Sequence, residues 1–121
     1  MLVAIPTFQD RVAPTFDFCH RVTFWRLDEE GFRKIADRKC KPLEPGEKAA
    51  RLQAMGTDWL LCGAIGKPLE MNLKSRGIQV LSGIAGTPVE VIAAFACGAL
   101  GEARFQIPGA NSKELIIGGE R

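Results

Sequence analysis

The sequence is poor in the residues from which most catalytic and metal centres are built. Its 121 residues include one histidine, His20, which excludes any two-histidine metal motif within one chain. Three serines are present, Ser75, Ser82 and Ser112, and none sits on a nucleophile elbow. The four cysteines, at 19, 40, 62 and 97, never take the C-x₂-C spacing of a zinc site or a redox motif. No apolar run approaches the roughly 20 residues of a membrane span. The opening run Leu2 to Ile5 is too short for a signal-peptide core, and no basic segment precedes it. A cytoplasmic protein with reduced thiols is therefore expected. Neither sign of charge dominates: 16 basic residues face 14 acidic ones, for a net +2. That balance argues against nucleic acid as a partner.

What is present reads as one small globular domain, with 46% hydrophobic and 25% charged residues. Leu2 to Ile5 reads as a strand buried on both faces and ended by Pro6. Residues 6–18 read as one long loop. A hairpin follows, with strands 19–27 and 32–40 joined by a turn at Asp28 to Gly31. The charges of Arg33, Lys34, Asp37, Arg38 and Lys39 suit its second strand to a sheet edge. The second half alternates helices and strands: helix 45–55, strand 58–62, helix 68–76, strand 78–81 and helix 88–100. Glycine loops at Gly63 to Gly66 and Gly83 to Gly86 follow the two strands. Thr87-Pro88-Val89-Glu90 is a capping box with proline at the first helical position. The helix it opens is apolar nearly all round, which places Ile92 and Phe95 in the core. Residues 1–101 form the domain and 102–121 a tail, in which Leu115 to Ile117 is a short strand or a docked arm.

Right-handed crossovers then give a five-stranded mixed sheet of order 3-2-1-4-5, with strand 2 antiparallel and helices on both faces. This is a three-layer α/β/α arrangement of the ribonuclease-H-like kind. Strands 2–5 and 58–62, the most apolar, should be adjacent, parallel and central.

In such a sheet, ligands bind beyond the carboxyl ends of the parallel strands. Three loops meet there, and they bring Thr7, Arg11, Gly63, Gly66, Lys67 and Thr87 together as a candidate anion site. The helix after Gly66 would offer its free N–H groups, and Arg11 and Lys67 would add charge. Cys62 ends a buried strand beside the first glycine loop and is a candidate soft metal ligand. His20, near the long loop, is a second. Cys19, Cys40 and Cys97 read as packing residues. No Walker motif and no G-x-G-x-x-G occurs. A two-metal nuclease needs clustered carboxylates on the sheet. Strand 2–5 has none, Asp58 lies at the wrong end of its strand, and Asp10 and Asp17 lack a third partner.

Several runs resemble a known family. Val3-Ala4-Ile5-Pro6-Thr7, then Asp10-Arg11-Val12-Ala13-Pro14 and Phe16-Asp17, look like the opening of the dinitrogenase iron–molybdenum cofactor biosynthesis proteins. These are the NifX-like domains, also found at the C-terminus of NifB. Leu60-Leu61-Cys62-Gly63-Ala64-Ile65-Gly66, Leu69, Arg76-Gly77-Ile78 and the segment from Gly83 to Gly101 agree with that likeness. The resemblance implies a ribonuclease-H-like fold. It also implies a non-enzymatic carrier or chaperone that transiently binds an iron–sulfur or molybdenum-containing cluster and meets cofactor-assembly proteins. The alternatives are a small-anion or nucleotide-binding regulatory module without metal, and a protein-docking module.

Overall fold

The computed structural model describes residues 1–41 and 44–98. The expected tail, its strand at 115–117 and the domain boundary at 101 lie outside those residues.

Strand β1 (Leu2–Phe8) organises the molecule. Its side chains alternate between two cores. Leu2 and Ala4 join one cluster, while Val3 and Ile5 join the other. A strand apolar at every position from Leu2 to Pro6 can only sit mid-sheet with both faces covered. It pairs antiparallel with β3 (Arg21–Asp28) and parallel with β5 (Trp59–Leu61). Beyond these lie β4 (Gly31–Lys39), antiparallel to β3, and β6 (Gln79–Leu81), parallel to β5. The path is therefore β4-β3-β1-β5-β6, with the charged β4 at an edge. Helices α1 (Pro45–Ala54) and α2 (Lys67–Ser75) cover one face through Ala49, Leu52, Leu69 and Leu73. Helix α3 (Pro88–Ala96) covers the other through Val91, Ile92 and Ala94.

Among the described residues the sheet has six strands, not five. The extra one, β2 (Arg11–Val12), folds back on β1 through Gln9 and Asp10, which both take positive φ, at 51° and 63°. That is the backbone of a two-residue hairpin of the type I′ family, normally signalled by Asn-Gly or Asp-Gly. Gln-Asp gives no such signal, so residues 6–18 read as unbroken loop. Pro6 does not end β1 either. Its carbonyl accepts from Ala13 N at 2.9 Å on the β2 side, so the N–H it lacks would also point there. The ladder to β3 is untouched, and Pro6 pairs with Val22 within it.

Helix α3 stops at Ala96, short of the expected residue 100, with Gly98 at φ 77° just beyond. Phe95 is half-buried rather than in the core. It meets Trp59 edge-on, with ring centroids 5.1 Å apart. Val89, on the same helix, is 56% exposed.

Candidate functional site

The glycine loop after β5 packs against the chain itself. Pro14, Thr15 and Phe16 run beside it, with Ala64 N donating to Pro14 O and Phe16 N donating to Ala64 O, each at 2.8 Å. A Cβ on Gly63 would lie 2.5 Å from Ala13 O and 2.6 Å from Pro14 O. Gly63 is therefore required by this backbone crossing, and no ligand need approach it. At Gly66, which caps α2, the backbone N–H donates to Asp17 Oδ1 at 2.7 Å. The anion expected at this helix start is the protein's own carboxylate. Lys67 is exposed on α2, and Arg11 is exposed at the small hairpin. Cys62 is wholly buried in the α1/α2 core. Burial, with Glu70 and then Asp17 adding to it, pushes its thiol far up, so it stays protonated and apolar in behaviour.

Three of the expected residues do converge. Thr7, His20 and Thr87 line a cavity of about 640 Å³ at the carboxyl end of β1, on the α3 face. Its wall is pinned from within: Thr23 Oγ1 donates to Ile5 O, and Trp25 Nε1 donates to Thr23 Oγ1, each at 2.9 Å. The charges here are balanced. Arg21 and Lys34 reach the same carboxylate, Asp37, at 3.1 and 3.9 Å, and Asp10 adds a second acid. Among the described residues, no group of three His, Cys, Asp or Glu side chains is placed to hold a metal ion.

The opposite face carries a second cavity, about 450 Å³, between the β3–β4 hairpin and α1. Arg38, Lys39, Lys41, Lys48 and Arg51 line it, with no acidic side chain among the lining residues. Its floor is apolar, from Phe16, Val22, Phe24 and Leu52. Lys48 is the unusual member, since it is only 2% exposed. Its Nζ donates to Phe16 O at 2.6 Å and to Asp17 O at 3.2 Å, and it sits 4.5 Å from the centre of the Phe16 ring. Carbonyl dipoles and a ring face thus hold this ammonium, and among the described residues no carboxylate neutralises it. Sequence reasoning missed Lys48. The available signal was a lysine in register with Ala49 and Leu52, on the buried face of the first helix.

Cys40 lines the same cavity, and Cys19 packs against it in the core. Cys40 Sγ donates to Lys41 O at 3.8 Å, and the neighbouring Cys19 thiol is placed to donate to the Cys40 sulfur once that ionises. That Cys19 bond, helped by the Lys48, Arg51 and His20 charges and opposed by burial, brings Cys40 down to about 6. The same bond, reinforced by burial, drives Cys19 far up.

A family model described as dinitrogenase iron-molybdenum cofactor matches residues 1–98. Among solved structures, PH0822 is similar at 27% identity, over 81% of this chain and 92% of that one, with a TM-score of 0.70. A candidate dinitrogenase from Methanocaldococcus jannaschii, MJ0327, is 24% identical over 82% of this chain and 90% of its own, with a TM-score of 0.59. A candidate NifB protein from Thermotoga, TM1290, is 21% identical over 81% and 89%, with a TM-score of 0.61. At these identities the last two speak to the fold alone. No curated protein matches the sequence. With four-fifths of its length matched and the mixed α/β sheet shared, the chain belongs to the dinitrogenase iron–molybdenum cofactor family.

Proposed function

We propose that the protein is a non-enzymatic carrier of an anionic metal–sulfur cluster, held as cargo in the cavity between the β3–β4 hairpin and α1, and passed on to cofactor-assembly proteins in the cytoplasm. Family membership supplies the cargo class. The observation that carries the seat is the buried Lys48 ammonium, ringed by four further cations with no acid among the lining residues. A cluster with net negative charge would neutralise a charge that no carboxylate pairs with among the described residues. The apolar floor would shield it from water and so strengthen the attraction. The cavity on the α3 face is the weaker seat, because its two cations already reach the Asp37 carboxylate and Asp10 lines it as well.

Anaerobic titration of the apo-protein with a synthetic iron–sulfur cluster, and separately with tetrathiomolybdate, tests this reading. Visible absorption reports uptake. The wild type should bind, and Arg38→Ala combined with Arg51→Ala should weaken binding at least tenfold, more at low salt. Arg21→Ala, Arg11→Ala and Lys67→Ala should change it little. Loss confined to Arg21→Ala would move the seat to the α3 face. Failure of the wild type to bind either probe would reject the carrier reading.

A further inference from the structure

We propose that Cys19 and Cys40 form a thiol–disulfide exchange site, in which Cys40 is the entry thiol, Cys19 is the resolving thiol, and the reactant is an anionic low-molecular-weight disulfide. The placement comes from the hairpin. Arg21 pairs with Lys39 across β3 and β4, and Cys40 N continues the ladder by donating to His20 O at 2.8 Å. Cys40 therefore stands just past the last strand pair, and Cys19 is one residue beyond the position facing it. The chain turns at this point, where Cys19 N donates to Phe16 O at 3.2 Å. That turn sends Cys19 into the core cluster against which Cys40 packs, close enough for each thiol to shift the other's ionisation.

Access separates the two roles. Cys40 is half-buried and lines the cavity, while Cys19 is only 5% exposed. A reactant in the cavity meets Cys40 first. The cationic lining, Arg38, Lys39, Lys41 and Arg51, draws in carboxylate-bearing disulfides such as oxidised glutathione.

The exchange balances as follows. The Cys40 thiolate attacks one sulfur of the disulfide, its S–S bond breaks, and one thiolate leaves with Cys40 in a mixed disulfide. Cys19 then attacks the Cys40 sulfur, its proton passing to the departing thiolate. The Cys19–Cys40 bond forms and the second thiolate leaves. Two electrons pass from the cysteine pair to the small disulfide, which departs as two thiols.

This site needs no cluster, so its test is separate from the carrier test. Reduced metal-free protein is mixed with oxidised glutathione, quenched in acid, alkylated and mapped by peptide mass spectrometry. The Cys19–Cys40 cross-linked peptide should be the main product, and dithiothreitol should reverse it. Exposed Cys97 is an internal standard for ordinary reactivity. Cys19→Ser should stop at a glutathione adduct on Cys40, and Cys40→Ser should leave Cys19 unmodified. Raising salt from 20 to about 500 mM should slow the reaction several-fold with glutathione disulfide but not with uncharged hydroxyethyl disulfide. Modification at Cys97 alone, absence of the cross-link in wild type, or wild-type reactivity of Cys19 in Cys40→Ser would each overturn the proposal. The wild-type map alone decides the first two, so an unfolded variant cannot mask the answer.

Discussion

Helices α2 and α3 begin alike and are capped differently. Each follows a short parallel strand and a glycine-containing loop, and each has proline in its first turn. At α3 the cap is local. Thr87 Oγ1 accepts from Glu90 N at 3.3 Å, and Glu90 Oε1 accepts from Thr87 N at 3.3 Å, all within four residues. At α2 the cap residue, Gly66, has no side chain, and the carboxylate arrives from Asp17, 49 residues away. Both helix starts satisfy orphan N–H groups. A cap written within one turn of sequence stabilises its helix alone. A cap borrowed across the fold also fixes the loop that supplies it. Here it anchors segment 13–17, whose Phe16 and Asp17 carbonyls in turn hold Lys48.

That difference can be broken at four points, in decreasing order of effect. Gly63→Ala attacks the crossing that delivers Asp17. Its Cβ would lie against two backbone carbonyls that cannot swing aside, so unfolding in urea should show a loss of about 3 kcal/mol. Asp17→Ala removes the borrowed cap itself and should cost about 1–2 kcal/mol. It should also increase hydrogen exchange in residues 13–17 as well as in α2, and exchange limited to α2 would refute the anchoring role. Thr87→Ala should cost about 1 kcal/mol and loosen α3 alone. Lys67→Ala, on the exposed side of α2, should stay within about 0.5 kcal/mol by thermal melting. A larger loss there would mean the helix start depends on that charge after all.

The contrast also explains what was legible beforehand. The α3 cap was readable because Thr87 and Glu90 carry it at fixed spacing. The edge position of β4 was readable from its alternating charges, and the centrality of β1 and β5 from their apolar runs. Asp17 was not readable as a cap. Nothing in its neighbourhood names Gly66, and the empty helix start therefore looked like an anion site. Thr7, Thr87 and His20 do meet at one cavity, but it is charge-balanced, whereas the cationic cavity lies on the other face. Cys40 looked like packing because its thiol partner is 21 residues away and two of its charged neighbours, Lys48 and Arg51, are on α1.

The sequence by itself determined the periodic features: apolar runs that must be buried, charges that must face water, and caps and turns closed within a few residues. Each follows from a local rule of solvation or backbone geometry. Only the tertiary structure decided which polar groups meet across the fold. Asp17 reached Gly66, Lys48 was buried in a cavity it shares with Arg38 and Arg51, with no carboxylate partner among the described residues, and Cys19 came to lie against Cys40. Those encounters depend on strand register and on how α1 docks against the hairpin, and residue spacing along the chain encodes neither in a form that can be read directly.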